Sequence, residues 1–116
     1  MNPESEATLL RIFIGEGDRL HHTALHEIIV KKAHEAGLAG ATVLRGLMSY
    51  GASSHFRTNR ILDLAADLPV VIEIVDTEPK IQSFLPVIDA LFEESKCGGL
   101  ITREKVRVVK YLPGKS

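Results

Sequence analysis

The chain has 116 residues, of which 45% are hydrophobic and 25% are charged, a composition that is ordinary for a single globular domain. Its formal net charge of -1 excludes the overall basic excess of nucleic-acid-binding proteins, and its apolar runs are too short to cross a membrane. The one cysteine, Cys97, cannot form an internal disulfide, which indicates a reducing cytoplasm. We therefore expect one domain over residues 1–116, with flexible tails at 1–6 and 112–116, no nucleic-acid partner and no membrane insertion.

The first half of the chain predicts a strand, a helix and a second strand. Residues 7–14 are rich in large and β-branched apolar side chains, as strands are. Apolar residues then recur at helical spacing from about Leu20 to about Ala36. Residues 41–49 form the second predicted strand. Residues 50–60 are polar and lack apolar periodicity, so they are predicted to form a loop.

The second half predicts a strand, a helix and a last strand. Residues 61–68 are compatible with either a short helix or a strand, whereas residues 69–75 are clearly strand-like. A second amphipathic helix follows, capped by Asp76 or Thr77. The final strand is predicted over residues 105–111.

The predicted order is β-α-β-β-α-β. Two right-handed β-α-β units place both helices on one face of a four-stranded antiparallel sheet, which is the ferredoxin-like α+β sandwich. Pro86 lies inside the second helical pattern and should kink or break that helix, at a cost of about 3 kcal/mol.

The sheet face without helices is predicted to be half apolar. Alternation in the first and third strands assigns to it Leu9, Phe13, Val71 and Val75, with Arg11 and Glu73 available to pair across strands. A monomer would expose these side chains as an apolar patch. The pattern favours burial of this face between subunits, the alternative being strands that tolerate exposed valines.

Four ordered blocks of the chain resemble the domain-of-unknown-function family 190 (DUF190), a PII-like family. They are RIFIGEGDR (11–19), KAHEAGLAGATVLRGLMSYG (32–51), RILDLAADLPVVIEIVD (60–76) and GGLITREKVRVVKY (98–111). The resemblance implies a ferredoxin-like subunit in a homotrimer. PII signalling proteins bind adenine nucleotides in clefts between subunits. The loop here is shorter than theirs, and CGGLITR (97–103) lacks their glycine–lysine phosphate pattern.

Two segments are candidates for an anionic, possibly nucleotide-like, ligand. In the first, Gly98 and Gly99 would let the backbone approach an anion, while Thr102 and Arg103 add a hydroxyl and a guanidinium. The second is the loop with its flanks, and its candidate residues are Gly46, Tyr50, Gly51, His55 and Arg57. The alternatives are a plain turn and a solvated loop. In the PII fold, which this chain resembles, the two segments form the walls of one cleft.

The sequence thus indicates a PII-like regulatory protein that binds a small anion between subunits and presents its loop to a partner protein. No catalytic constellation can be assembled, so we expect no enzyme, and no cofactor is implied. The alternative is a divalent-metal-binding trimer similar in plan to the cation-tolerance protein CutA. Its candidates are His22 and His26, which would share a helix face, although a solvated face is favoured over a metal site.

Overall fold

The computed structural model describes residues 6–51, 56–58 and 67–115, with the backbone alone for 56–58. In chain order the elements are β1 (Glu6–Gly15), β2 (Arg19–Leu20), β3 (Thr23–Ala24), α1 (Leu25–Glu35), β4 (Thr42–Arg45), β5 (Met48–Tyr50), β6 (Phe56–Thr58), β7 (Pro69–Asp76), α2 (Glu78–Ser95) and β8 (Leu100–Arg107). Most of residues 61–68, whose structure was left open between helix and strand, lie outside the described ranges. Asp67 and Leu68 are described and belong to neither element type.

Four strands form the main sheet in the order β4-β7-β1-β8, and every neighbouring pair is antiparallel. The units β1-α1-β4 and β7-α2-β8 each cross over one intervening strand. This is the ferredoxin-like topology, and the predicted fold class is confirmed. The two additional strand pairs, β2-β3 and β5-β6, are short hairpins outside that sheet.

The hydrophobic core lies between one sheet face and the two helices. Alternate side chains of β1 and β7 are buried there, namely Leu10, Ile12, Ile14, Val70, Ile72 and Ile74. The helices contribute Leu25, Ile29, Ile81, Phe84 and Ile88. The period-two alternation of both strands, read from the sequence, is thereby confirmed, because a strand must turn every second side chain toward the same layer.

Helix α2 continues through Pro86 as one helix from Glu78 to Ser95, so the predicted break does not occur. Buried side chains lie on both sides of the proline, including Phe84 before it and Ile88 and Leu91 after it. Each contributes about 1.5–3 kcal/mol by leaving water. Together they outweigh the cost of about 3 kcal/mol for a proline inside a helix.

On the opposite face of the sheet, the side chains of paired residues lie in rows across the strands. One row is apolar and joins Leu44, Val71, Phe13 and Leu100. In the middle of the face, Arg11 donates to Glu73 at 2.9 Å and to Glu104 at 2.6 Å. These hydrogen bonds, the one to Glu73 first, raise the pKa of Arg11 above its ordinary value. The predicted pairing of Arg11 with Glu73 is confirmed, and the arginine links three adjacent strands.

Helix α1 begins at Leu25, so the predicted start near Leu20 is wrong. Residues 19–24 instead form the β2-β3 hairpin, whose two turn residues His21 and His22 have φ of 50° and 72°. A two-residue turn with positive φ at both positions is the geometry that fits a twisted antiparallel pair. Asparagine and glycine are the residues that usually indicate such a turn. Two histidines do not, so the sequence did not predict the hairpin.

Three other element boundaries differ from prediction. The second strand ends at Arg45 rather than at residue 49, since the Gly46 N–H donates to the Pro69 carbonyl at 2.8 Å and the chain then turns into β5. The last strand is Leu100–Arg107, not 105–111, because its pairing with β1 starts at Phe13. At the N-terminus, Glu6 already belongs to β1, although it was assigned to the tail. None of the helices in the described part of the chain has the length and apolar content to span a bilayer.

Candidate functional site

The two glycine-bearing candidate segments lie at the same end of the sheet, on its opposite edges. Gly46 directly follows β4, where Arg45 pairs with Val70, and Gly99 directly precedes β8, where Leu100 pairs with Phe13. Three strand spacings separate the two edges, about 14 Å. Within one subunit the structure therefore aligns the two segments without making them walls of one cleft.

Gly46 has no space for a side chain. A Cβ placed there would lie 2.9 Å from Cγ of Pro69. The hydrogen bond from the Gly46 N–H to the Pro69 carbonyl holds the two backbones together at this position. The segment leaving β4 is consequently held against the start of β7, and the β5-β6 hairpin projects from a fixed root.

Gly98 and Gly99 have different environments. A Cβ on Gly99 would lie 2.7 Å from the Phe92 ring and 2.9 Å from the Phe13 carbonyl oxygen, whereas nothing lies within 4 Å of that position on Gly98. Neither glycine has a positive φ, because the left-handed residue that ends α2 is Lys96, at 61°. Gly99 thus permits close packing of α2 on the end of β1, and Gly98 leaves its backbone open to approach.

We expect Gly99→Ala to destabilise the fold by about 2 kcal/mol, because an added methyl must displace the Phe92 ring or shift β1. Gly98→Ala should change the free energy of unfolding by less than about 0.5 kcal/mol, as substitutions at open positions usually do. Urea unfolding followed by circular dichroism measures both values. Equal effects for the two variants would contradict this distinction.

Thr102 and Arg103 do not belong to a turn with the glycines, since both lie within β8. Arg103 is four residues along the strand from Gly99, about 13 Å away. Its guanidinium donates to Glu78 at 3.1 Å and to Gln82 at 2.6 Å, near the start of α2. Thr102 is exposed and pairs with Arg11 on the opposite sheet face. Of the predicted anion-binding segment, only the glycines remain at the end of the sheet.

The loop predicted at 50–60 is in part a hairpin, in which Met48–Tyr50 pairs with Phe56–Thr58. Tyr50 is exposed and Gly51 has open space around it. His55 lies outside the described residues, and Arg57 is described as backbone in β6 only. Leu47, at the root of the hairpin, is 91% exposed. The hairpin thus presents apolar side chains to the surroundings at the same end of the sheet as Gly98.

The predicted helix face joining His22 and His26 does not form. His22 occupies the β2-β3 turn, and only His26 lies on α1. His21, the other turn residue, contacts Glu94 of α2 at 3.0 Å. Across residues 6–51 and 67–115, no group of three or more histidine, cysteine or acidic side chains is placed to hold a metal ion.

Sequence analysis missed a polar cavity between the β2-β3 hairpin, the start of α1 and the end of β4. Its lining includes Glu16, Arg19 and Arg45. The signal in the sequence was the charged turn GEGDR (15–19) directly after a buried strand. Nothing in the sequence indicated that Arg45, from a different strand, would reach this turn.

Comparison with known proteins gives a family and a fold. Residues 7–108 match the family model DUF190, described as Uncharacterized ACR, COG1993. A UPF0166 protein of Aquifex aeolicus is 40% identical over 87% of this chain and 91% of its own length. A UPF0166 protein of Methanocaldococcus jannaschii is 35% identical over 90% of this chain and 94% of its own.

Among solved structures, this chain is similar to CPII, a nitrogen regulatory PII-like protein from Thiomonas intermedia. The CPII structure bound to ADP, AMP and bicarbonate has a TM-score of 0.70 at 16% identity, covering 91% of both chains. The apo form of CPII has a TM-score of 0.59 at 19% identity, covering 90% of this chain and 92% of that chain. At these identities the likeness establishes the fold alone.

Proposed function

Because the chain belongs to the DUF190 family, we propose that it is a PII-like regulatory protein whose homotrimer binds an adenine nucleotide, or another small anion, in clefts between subunits. The proposal is for a binding role rather than a catalytic one, in the cytoplasm. It draws on a neighbour of the same fold, CPII, whose structure contains ADP and AMP.

The observation that carries the proposal is the placement of the two glycine segments. Gly46 and Gly98 lie at one end of the sheet but on opposite edges, three strands apart. A single subunit cannot close a small ligand between them. In a ring of subunits, the β4 edge of one copy would face the β8 edge of the next, and each cleft would then have a glycine segment on both walls.

Each wall has a distinct part in this proposal. Gly98, with open space at its Cα, provides backbone N–H groups for the phosphates of the ligand. Tyr50 and Gly51 belong to the hairpin side, where the tyrosine ring would contact the base. His55 and Arg57 are assigned to the same wall from the sequence alone. Arg103 can join only by leaving Glu78 and Gln82, so we give it no primary role.

The apolar row Leu44, Val71, Phe13 and Leu100 supports assembly through the sheet face. Leu44 and Leu100 are exposed in the subunit. The β5-β6 hairpin, with exposed Leu47 and Met48, is the proposed contact for a partner protein, because it projects beside the cleft and can respond to a ligand there.

We expect wild-type protein to bind ADP or AMP more tightly than millimolar in isothermal titration calorimetry. Gly98→Val should weaken that binding at least tenfold, because its side chain occupies the space through which phosphate approaches the backbone. The matched control is Gly40→Val, at an equally open glycine in the α1-β4 connection, toward the other end of the sheet. It should bind as the wild type does.

Two results would contradict the proposal. One is the absence of binding by ADP, AMP and simple polyanions below millimolar concentration. The other is equal affinity in wild type and Gly98→Val, with both proteins shown by light scattering to have the same oligomeric state.

A further inference from the structure

A cavity of about 430 Å³ lies on the helix side of the subunit, where β1 and β4 end. The β2-β3 hairpin, the first turn of α1 and the last residue of β4 surround it. The charged and ionisable side chains among its lining are Glu16, Arg19, His22, His26, Glu27 and Arg45. Arg45 directly precedes Gly46, so the cavity adjoins the hairpin wall of the proposed nucleotide cleft. Its lining belongs to one subunit and includes neither Gly98 nor Gly99.

Arg45 already holds a carboxylate in this cavity. Its Nε donates to Glu16 Oε2 at 2.5 Å, with the arginine side chain 63% exposed and the glutamate side chain 27% exposed. Ion pairs this open to solvent contribute little to stability. Glu16 therefore occupies Arg45 as an anionic ligand would, and a competing anion can displace it at small cost.

A second cation also lines the cavity. Arg19 extends from β2, and its guanidinium donates to the His22 carbonyl at 3.3 Å. No carboxylate of the described residues forms an ion pair with it, and it is exposed. Two guanidiniums from separate elements thus line one cavity, and among the described residues only Arg45 is paired with an acid there.

His26, at the start of α1, also lines the cavity. Its Nδ1 is buried and has no hydrogen-bond partner within the described part of the chain. Because this atom has almost no accessible surface, His26 forms part of the cavity wall and is not assigned a hydrogen bond to a ligand there.

The wall that carries these groups is held in an uncommon conformation. His21 and His22 both have positive φ, which is disfavoured for residues with a Cβ. Strain of this kind is often found where a side chain must be held in a particular place. Here the turn belongs to a hairpin of which Arg19, His22, Thr23 and Ala24 all line the cavity.

We propose that this cavity is a second ligand site. It takes a small oxyanion that bridges Arg19 and Arg45 and displaces Glu16. A metal ion does not fit, since the described acidic and histidine side chains form no group of three with suitable placement. Carboxylates and phosphates share the required chemistry, because both offer oxygens that match a guanidinium.

The test uses inorganic phosphate and succinate as probes, at constant ionic strength with chloride as the reference anion. We expect at least one probe to bind the full chain and to shift the amide resonances of Thr23 and Ala24 in ¹H–¹⁵N spectra. The probe that binds more tightly identifies the site as one for phosphate or for carboxylate. Arg19→Gln and Arg45→Gln should each weaken binding about tenfold.

Glu16→Gln is the decisive variant. By removing the internal competitor, it should raise the affinity for the probe about fivefold, whereas a variant that merely damages the cavity would lower it. Arg107→Gln, an exposed arginine at the other end of the sheet, is the charge-matched control and should leave the affinity unchanged. In Gly98→Val, the probe should still shift Thr23 and Ala24 at the same concentrations as in the wild type, because Gly98 does not line this cavity.

The inference is overturned if neither probe shifts Thr23 or Ala24. It is equally overturned if Arg107→Gln reduces binding as much as Arg45→Gln, because the probe would then respond to overall charge, or if Glu16→Gln fails to raise the affinity.

Discussion

Replacing Asp76 by alanine is expected to lower the free energy of unfolding by about 3 kcal/mol or more. The Asp76 side chain lies at the end of β7, and the residue is 1% exposed. Its carboxylate accepts hydrogen bonds from the backbone N–H groups of Ala39 at 2.8 Å and Thr77 at 2.7 Å. Each such bond to a charged acceptor contributes about 1.5–3 kcal/mol, and alanine would leave both donors, which belong to half-buried residues, without this acceptor.

Chemical denaturation at neutral pH measures this loss directly. Asp89→Ala is the matched control, since Asp89 is exposed on α2, and it should change stability by less than about 0.5 kcal/mol. Asp76→Asn keeps one acceptor oxygen and should fall between the two. Equal stability of Asp76→Ala and Asp89→Ala would show that the carboxylate does not hold the α1-β4 connection to the start of α2.

The second large effect is expected from Val71→Glu, which should convert the proposed trimer into monomers. Val71 lies in the apolar row between Leu44 and Phe13, on the sheet face without helices. A carboxylate buried there without a partner costs about 3 kcal/mol or more in each subunit. Light scattering should give three times the subunit mass for the wild type and one subunit mass for the variant.

Val109→Glu makes the same chemical change where Val109 is 79% exposed, beyond β8, and should leave the trimer intact. Circular dichroism should show both variants folded, because neither side chain is part of the core. A wild-type monomer at micromolar concentration would refute the interface, and so would a Val71→Glu trimer.

The fold was predictable because its signals are local and repeated. Strands β1 and β7 alternate so regularly that both their buried sides and the pairing of Arg11 with Glu73 follow from the sequence. Two amphipathic helices between such strands leave few topologies to choose from. The predicted break at Pro86 was wrong. The effect of a proline on a helix can be read from the sequence, whereas the burial that keeps α2 continuous depends on the whole core.

The candidate site was less predictable, because it depends on where elements end. The shift of β8 to Leu100–Arg107 moves Thr102 and Arg103 into a strand, away from the glycines. No pattern within residues 98–103 distinguishes a glycine that packs, as Gly99 does, from one that is open, as Gly98 is. That difference is set by the Phe92 ring on another element.

The β2-β3 hairpin was hidden for a different reason. The predicted helix was extended toward the N-terminus to include His21 and His22. Neither is a glycine or an asparagine, the residues that normally indicate such a turn. The cavity beside it brings together residues 16–27 and Arg45, which are distant in sequence. Pairings across that separation require the assembled sheet, so a single sequence cannot reveal them.

The pairing of β1 with β8 determines when the chain can finish folding during its synthesis. Glu6 pairs with Arg107, so β1, the first strand of the sheet in chain order, has as its neighbour β8, which is the last to be synthesised. Contacts of such long sequence separation slow folding, since a large loop must close before they form. The same adjacency makes the subunit suited to circular permutation. A short linker can join the two neighbouring strand ends, and new termini opened at the β2-β3 turn would let β1 and β8 be synthesised in succession.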